Sequence, residues 1–415
     1  MEICTWEDSY TDSVISLWNE EAVHDGYKPL SRDSFASLIC GSPYFDANTT
    51  FVARCNGEAV GFACGCTGDD LPLGAGSGYI TCIIVKSRLG AEGEELALRL
   101  LERLEDRFRE LGKKQADLLF FNPMRLPWLV PNTSGHEHNN APGAPESGAL
   151  HRLLLAAGYA ERSLQCGMYL PLAKFVIPDE IRDKECRAGD QGYAVELLDA
   201  ARHEGLSELL TALGNPVWQR EIAACVERGL PVVAAVLVGA QQVEGVAPRL
   251  RGNSTASVKL AELPPPEGIS GVKHSALPLG GGESVDARSG SPRELRSGSK
   301  LRNSAEFQLS GQPEHPGMFL SGRHATAGRV VGFAGPVIRE ESGRGYFAGI
   351  GVHPEHEGHG LGSLLFYGLC EAFKEIGTDY MTLFTGSENP ALRIYDKAGF
   401  RTVKRFAVMR KEFTS

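Results

Sequence analysis

The chain has 415 residues, of which 42% are hydrophobic and 23% are charged, and its net charge is −10. This length favours two domains, and the hydrophobic content is that of an ordinary globular protein. The excess of acidic residues argues against general nucleic-acid binding and favours cationic substrates such as amines.

The first residues, MEICTWEDSY, are acidic and contain no apolar core, so we expect no signal peptide. No run of about 18 apolar residues is present, so we expect no membrane span. The ten cysteines are scattered, which favours buried, reduced thiols in a cytoplasmic protein. Cys64 and Cys66 could form a redox or metal pair, but no second pair supports this interpretation.

Residues 1–175 begin with weak apolar helical patterns at about 9–24 and 31–40, and a strand is predicted from Phe51 to Arg54. After further strand and helix patterns, a long connection runs from Asn122 to Gly148. Its prolines and glycines exclude regular structure over much of its length.

This connection contains one tryptophan and two histidines, Trp128, His136 and His138. Trp128 lies among apolar neighbours, so we expect it to pack against the protein. His136 and His138 could ligate a metal, but a solvated turn explains them better, because no third ligand has a recognisable spacing. The connection could instead help to shape a substrate site.

A charged linker is predicted at 176–192. The next region opens with a strand from Tyr193 to Leu198, followed by helices near 200–213 and 216–228 and a strand from Val232 to Val238.

Residues 240–327 differ in composition from the rest of the chain. They are rich in Gly, Pro, Ser and Arg, they contain RSGS twice, and they hold few large apolar residues. Such a segment cannot bury a core, so we predict a largely disordered insertion between two adjacent strands. A surface insertion without a role is the simplest interpretation, and a regulatory role near the glycine loop described next is the alternative.

The stretch from Tyr346 to Gly377 combines a strand, a glycine-rich loop and an amphipathic helix. The strand ends at Val352, and the loop spans Glu357 to Gly362. Apolar residues three and four positions apart predict one buried helix face, and Gly377 predicts the end of the helix. These apolar residues are Leu361, Leu364, Leu365, Leu369, Ala372, Phe373 and Ile376.

The glycines of this loop suit an anion. Gly358, Gly360 and Gly362 have no Cβ, so a ligand can approach the backbone closely. The N–H groups of the loop and the first helical turn converge where the helix dipole favours negative charge. The pattern therefore indicates a phosphate-binding loop. It is neither GxxxxGK[ST] nor the dinucleotide pattern GxGxxG, because its glycines alternate as GxGxG.

Beyond the helix, a short strand is predicted from Tyr380 to Thr385, and Asn389-Pro390 is predicted to open another helix. The segments EGHGLG and NPALRIYDKAGF together closely resemble the GNAT superfamily of acetyl-CoA-dependent N-acyltransferases. The resemblance covers roughly residues 190–415, apart from the insertion.

The resemblance implies a set of contacts with CoA. The loop would bind the pyrophosphate through backbone amides, the strand before it would hydrogen-bond the pantetheine arm, and Asn389 would help to hold the cofactor. Glu357 departs from the Gln or Arg usual at its position, and its charge would weaken binding without affecting the backbone donors. The implied cofactor-binding residues are Ile350, Gly351, Val352, Glu357, Gly358, His359, Gly360, Leu361, Gly362, Ser363 and Asn389.

Tyr395 stands at the position that often protonates the departing CoA thiolate in this family, so it is the expected catalytic residue. A phenol with a pKa near 10 is mostly protonated at neutral pH, which suits a proton donor. The general base is not evident, and water, His353, Asp379 and Glu388 all stay candidates. Three histidines recur every three residues, but their backbone must face phosphate, so we expect no metal there. They are His353, His356 and His359.

Landmarks of the second region occur in the same order in residues 1–175, which predicts a duplication. VGFA at 60–63 matches VGFA at 331–334, and GYI at 78–80 matches GYF at 345–347. The apolar helix before Gly112 matches the one before Gly377. AGY at 157–159 matches AGF at 398–400.

The first copy lacks the residues implied in the chemistry. Aligning AGY with AGF places Leu154 opposite Tyr395 and Gly148 opposite Asn389. Its loop, RLGAEGEEL, adds three carboxylates that would repel a pyrophosphate, each by about 1–4 kcal/mol at contact distance. We therefore expect this copy to be a non-catalytic structural partner.

The expected fold is α/β, with GNAT-like domains at 1–175 and 193–415, each a mostly antiparallel mixed sheet flanked by helices. The resemblance implies that the second domain transfers an acetyl group from acetyl-CoA to a primary amine of a small molecule or peptide, without a metal. An acyl-CoA sensor or scaffold, or a transferase of another acyl or aminoacyl group, stays open. We expect a monomer or homodimer that binds neither nucleic acid nor membrane.

Overall fold

The computed structural model describes residues 1–71, 73–238 and 327–413. The insertion predicted at 240–327 therefore lies outside the described residues, apart from Ala327 at its end. Within the described ranges, no helix is both long enough and apolar enough to cross a membrane.

All ten cysteines are free thiols. Cys64 and Cys66 are buried, and burial raises the pKa of the Cys64 thiol to about 12, so this thiol is unreactive at neutral pH.

The first half, up to Pro171, alternates strands and helices. Its helices are α1 (Thr11–Glu21), α2 (Arg32–Phe35), α3 (Gly90–Glu110) and α4 (Ala149–Ala156), and α2 continues into a π-helical turn, Ala36–Cys40. Its strands are β1 (Glu2–Thr5), β2 (Thr50–Cys55), β3 (Glu58–Cys66), β4 (Ser77–Val85), β5 (Gln115–Leu118), β6 (Trp128–Leu129), β7 (Glu137–His138), β8 (Ala144–Pro145) and β9 (Ala160–Pro171). The helices predicted at about 9–24 and 31–40 are thereby confirmed in position.

The segment predicted as a linker is mostly a helix, α5 (Asp179–Asp190). The second half then contains α6 (Leu206–Ala212), α7 (Pro216–Glu227), α8 (Leu361–Glu375) and α9 (Leu392–Lys397). Its strands are β10 (Tyr193–Leu197), β11 (His203–Glu204), β12 (Val233–Val238), β13 (Gly328–Gly335), β14 (Ile338–Arg339), β15 (Arg344–Tyr346), β16 (Gly349–Val352), β17 (Tyr380–Gly386) and β18 (Arg401–Glu412). The helix predicted near 200–213 is shorter than expected because β11 occupies its start.

One mixed sheet runs through both halves in the order β1-β2-β3-β4-β5-β18-β9-β17-β15-β14. The halves exchange strands in its centre. The last strand of the chain, β18, lies antiparallel between β5 and β9 of the first half, and β9 lies antiparallel to β17 of the second half. A second sheet, β10-β12-β13-β11 with β16 on β13, belongs to the second half alone.

Equivalent glycines let the long helix of each half pack onto its sheet. A Cβ on Gly78 would lie 2.3 Å from the Phe108 ring, and one on Gly345 would lie 3.0 Å from the Phe373 ring. In the same way, Gly61 faces Leu100 and Gly332 faces Leu365, each at 2.9 Å. The predicted duplication thus appears as matching contacts between sheet and helix.

In each half, two parallel strands pair briefly and then separate. β4 pairs with β5 only from Ser77 to Tyr79. β15 pairs with β17 only at Arg344 and Gly345, after which the chain continues as β16, which pairs with β13. The gap between β16 and β17 is called the wedge below.

The strands that flank the insertion are neighbours, as predicted: β12 and β13 pair antiparallel, with Val238 opposite Gly328. β13 also pairs with β16, and Gly332 lies opposite Val352. The insertion therefore leaves the sheet at the same end as the loop that follows β16.

Candidate functional site

The loop from Glu357 to Gly360 joins β16 to α8 and presents unpaired backbone donors. Gly358 and Gly360 adopt the left-handed conformation, with φ of +84° and +76°, which glycine reaches at little cost. Within the described parts of the chain, no group accepts a hydrogen bond from the backbone N–H groups of residues 358–363. These six N–H groups, named the amide cradle here, can bind an anion at the start of a 15-residue helix.

Two histidines hold the amide cradle in place. The ring of His356 shares a hydrogen bond of 2.9 Å with the Tyr193 hydroxyl, and His359 Nδ1 shares one of 2.6 Å with Gln191 Oε1. Both partners lie where the chain enters the second half, so this entry segment fixes the loop. Glu357 is half-buried beside the cradle.

The edge of β16 that faces the wedge also has free backbone groups. The His353 N–H donates to the Val331 carbonyl at 2.8 Å. Because pairing alternates along an antiparallel ladder, the N–H and C=O groups of Ile350 and Val352 face away from β13, while those of Gly351 face it. An extended ligand in the wedge could therefore pair with Ile350 and Val352 as an added strand would.

Tyr395 of α9 lies on the helical side of the wedge. It is 7% exposed, and its ring packs against Phe366 at 4.9 Å and Phe400 at 6.1 Å between centroids. Phe366 in turn contacts Phe347, which lies between β15 and β16. Burial, with a smaller effect of Cys370, raises the pKa of Tyr395 to about 12. The phenol therefore keeps its proton throughout the physiological pH range.

Residues 290–400 match the family model described as the Acetyltransferase (GNAT) family. The chain contains a GNAT-family domain. The match includes the amide cradle, β16 and Tyr395, so it covers the residues from which the resemblance was first drawn. No curated protein matches this chain in sequence.

Solved structures extend the likeness to nearly the whole chain. A GCN5-related glucosamine N-acetyltransferase region of a fungal multi-domain GH3 β-N-acetylglucosaminidase aligns over 99% of this chain, with a TM-score of 0.53 and 14% identity. The chain spans only 38% of that protein. A GCN5-related N-acetyltransferase from Sphaerobacter thermophilus aligns over 99% of this chain and 95% of its own, with a TM-score of 0.50 and 13% identity. At these identities the likeness is one of fold.

Asn389 precedes α9 rather than opening it. Its Oδ1 accepts a hydrogen bond from the Ala391 N–H at 2.9 Å, and the helix begins only at Leu392. The prediction that Pro390 occupies the first helical turn is therefore wrong by about half a turn. The side-chain N–H groups of Asn389 donate to no described residue.

Two of the candidate general bases lie in unsuitable places. Asp379 pairs with Arg339 at 3.1 Å just before β17, at the end of the strand opposite to the wedge. Glu388 is exposed. His353 uses Nδ1 to accept a weak hydrogen bond of 3.3 Å from the Glu355 N–H at the base of the loop.

A carboxylate that the sequence did not reveal lies on the other face of the GNAT sheet. Glu221 of α7 accepts a hydrogen bond of 3.2 Å from the hydroxyl of Tyr346, the last residue of β15. Trp218, one turn earlier, donates its indole N–H to the Ala348 carbonyl at 3.1 Å. Burial and the Glu221 charge raise the pKa of Tyr346. No sequence motif identifies Glu221. It lies at the wedge because α7 packs beside β15.

His353, Glu355 and His356 each offer a ligand atom, and these atoms lie within 4.8 Å of one another. Burial and the neighbouring His353 lower the pKa of His356, so its ring is neutral near pH 7. The sequence interpretation expected no metal at these histidines, and that expectation stays a prediction.

The first half has no amide cradle. The segment that corresponds to the glycine loop is helical, because α3 begins at Gly90 and includes Glu92, Glu94 and Glu95. The interpretation of RLGAEGEEL as a spoiled loop is therefore wrong in structure: the loop is replaced by an extension of α3. Leu154, opposite Tyr395 in the alignment, is fully buried.

The first half also closes its own gap between parallel strands. The side chain of Asn122 donates to the carbonyls of Ile80 and Thr81 at 3.2 and 3.1 Å. Asn122 thus satisfies backbone groups that face away from β3. In the second half, the corresponding edge of β16 has no such partner among the described residues.

The connection from Asn122 to Gly148 packs on the second half. Trp128 is 1% exposed, which confirms that it packs. His136 stacks on Tyr380 of β17 at 3.9 Å between centroids, and the buried His138 lies 4.5 Å from the ring of Phe384. The prediction of a solvated turn is wrong for His138, because contacts with β17 remove it from water.

Proposed function

We propose that the second half transfers an acetyl group from acetyl-CoA to a primary amine of a small molecule or peptide. The observation that carries this proposal is the amide cradle, six unpaired N–H groups at the mouth of a wedge that a buried, protonated tyrosine lines. The GNAT fold and the family match support an acyltransferase in general, and the fungal relative named above acts on an amino sugar by its description.

Each part of the site would have a defined task. The amide cradle would hold the pyrophosphate of CoA, and Ile350 and Val352 would pair with its pantetheine amides. Acetyl-CoA itself supplies the activated thioester. Tyr395 would donate its proton to the sulfur that leaves, and the pKa of about 12 keeps that proton available.

We propose Glu221 as the group that receives the amine. It lies with Tyr346 on the face of the sheet opposite to Tyr395, so an acceptor on this side would meet the thioester across the wedge. A carboxylate attracts an ammonium ion and can take up the proton that must leave before the nitrogen attacks. The net charge of −10 also favours cationic acceptors over anionic ones.

The first experiment combines calorimetry with a thiol-release assay. Titration with acetyl-CoA should give one site per chain, because the first half lacks the cradle. Two comparable sites would contradict this assignment. Release of free CoA in the presence of a panel of primary amines should then identify an acceptor class. Binding without thiol release from any amine would favour the alternative of an acyl-CoA sensor or scaffold.

A further inference from the structure

A cavity of about 240 Å³ lies between α5, α8 and α9. It is smaller than the roughly 300–1,000 Å³ of pockets that enclose a whole drug-sized ligand, so it suits one group of a larger ligand. Six of its eight lining residues carry a polar or charged group. The lining residues are Glu180, Ile181, Lys184, Ser363, Tyr367, Arg393, Ile394 and Lys397.

The charge of this cavity is positive. Lys184, Arg393 and Lys397 contribute three cations, against the single carboxylate of Glu180. Glu180 lies 3.9 Å from Lys397, but both side chains are more than half exposed, so this pair is weak. Lys184 and Arg393 make no ion pair with any described residue.

A buried hydroxyl in the same cavity has no protein partner. Tyr367 is only 1% exposed, and its hydroxyl makes no hydrogen bond within the described parts of the chain. Proteins seldom leave such a group unpaired, because its desolvation is unfavourable. Because Tyr367 lines a positively charged cavity, an anionic oxygen is a suitable partner for its hydroxyl.

The cavity adjoins the amide cradle. Ser363 contributes the last N–H of the cradle and also lines the cavity. Lys184 also lies close to the loop, since its Cδ is 3.9 Å from the place that a Cβ on Gly360 would take. A ligand with a phosphate on the cradle could therefore place a second phosphate in the cavity.

The helix that supplies Lys184 is firmly held. Ile181 of α5 is 2% exposed in the same core as α8, and Lys374 of α8 donates to the Phe175 carbonyl at 2.9 Å, just before α5 begins. α5 lies in the connection between the two GNAT-like halves and outside the residues that match the family model.

We propose that the connecting helix α5 completes the cofactor site, and that Lys184 with Arg393 and the Tyr367 hydroxyl binds the 3′-phosphate of CoA. This inference rests on the proposed function. Besides its pyrophosphate, CoA carries one further phosphate, on the ribose of the same nucleotide, and the cavity offers positive charge next to the cradle. The connection between the halves is then a cofactor-binding element and more than a tether.

The test compares CoA with 3′-dephospho-CoA by calorimetry on the full-length protein. The wild-type chain should bind CoA about 10–100-fold more tightly, the range expected for charge-assisted hydrogen bonds. Lys184→Met and Arg393→Met should each remove much of this preference, and they should leave the affinity for 3′-dephospho-CoA nearly unchanged. Arg187→Met is the matched control, because it removes an exposed cation of α5 that does not line the cavity.

Three results would overturn the inference. Equal affinity of the wild-type chain for CoA and 3′-dephospho-CoA would show that the cavity does not bind the 3′-phosphate. A preference that survives in the Lys184→Met, Arg393→Met double variant would place the phosphate elsewhere. Binding of neither ligand would contradict the proposed function itself, which separates that failure from the other two. Melting temperatures of all variants identify any that fail to fold.

Discussion

The two halves of this protein share one framework and differ at the places where chemistry would occur. Both pack a long helix against a sheet through equivalent glycines, Gly78 on Phe108 and Gly345 on Phe373. Both separate two parallel strands after a short pairing. In the second half a glycine loop with six unpaired N–H groups follows this separation, whereas in the first half α3 begins at Gly90 without such a loop. The last helix of the second half contains a tyrosine, and that of the first half does not. Packing preserves the fold, whereas a few backbone conformations and side chains decide whether a site exists.

The first half still has a structural task. Without β9, the strand β17 would have an unpaired edge on the side away from the wedge, and exposed edges invite non-native pairing. β9 pairs along the whole of β17, from Tyr380 opposite Pro171 to Gly386 opposite Gln165. In return, β18 pairs with β5 of the first half. Each half thus supplies the other with a strand.

The largest effect is expected from removing the one hydroxyl that distinguishes the last helices. Tyr395→Phe should lower turnover by about 10²–10⁴-fold, the usual contribution of a general acid. The ring still packs against Phe366, so the affinity for acetyl-CoA and the melting temperature should change little. Tyr27→Phe, at a buried tyrosine of the first half, is the control. Unchanged turnover in the Tyr395 variant would exclude it as the proton donor.

The next effect concerns the loop. Gly358→Val combined with Gly360→Val places β-branched residues at positive φ, which costs about 1–3 kcal/mol for each residue. This strain disfavours the backbone conformation of the amide cradle, so acetyl-CoA should bind about 10–100-fold more weakly. Gly57→Val with Gly74→Val imposes comparable strain at two positive-φ glycines of the first half, where an added Cβ would meet no atom within 4 Å. Equal losses in both double variants would show that strain alone, and not the cradle, lowers the affinity.

A smaller effect is expected from the residue that closes the gap in the first half. Asn122→Ala leaves the carbonyls of Ile80 and Thr81 without their donor, which should destabilise the protein by about 1–3 kcal/mol. The first half should nevertheless gain no CoA site, because α3 replaces the loop. Urea unfolding measures the first expectation and calorimetry the second. A second acetyl-CoA site in this variant would mean that the Asn122 side chain alone blocks binding.

The smallest expected effect is a difference between α8 and α3 in how a charge-removing substitution changes the melting temperature with pH. Burial, with Glu375 nearby, raises the pKa of Glu371 of α8 to about 7. A carboxyl whose pKa is higher in the folded state destabilises that state progressively as pH rises from its unfolded value of about 4 towards 7. Glu371→Gln should therefore raise the melting temperature by about 1–3 °C at pH 8 and leave it unchanged at pH 4.

Asp106→Asn provides the comparison in the first half, because Asp106 lies six residues before Gly112 as Glu371 lies six before Gly377. Asp106 is exposed and pairs with Arg109 at 3.0 Å, and surface ion pairs contribute little, so Asp106→Asn should change the melting temperature only slightly. A similar dependence on pH in both variants would refute the assignment to the burial of Glu371.

The sequence by itself determined the local features of the site. These features are the spacing of apolar residues in α8, the glycines of the loop, and the repeated VGFA and GY landmarks. Each involves residues that are close together in sequence, so the sequence alone reveals it. The NPALRIYDKAGF segment likewise indicated Tyr395. Comparison with the second half predicted a loop at RLGAEGEEL, but α3 begins at Gly90 in this segment.

Only the tertiary structure decided how the halves combine. Arg410 of β18 bonds Asp117 of β5 at 2.6 Å although 293 residues separate them in sequence. The hydrophobic periodicity of a strand shows which of its faces is buried, but it does not show which distant strand pairs with it. The same holds for Glu221 at the wedge, for Asn122 in the gap of the first half and for Lys184 beside the cradle. Each has its place because distant elements pack together, and packing depends on the shape of the whole core rather than on any one segment.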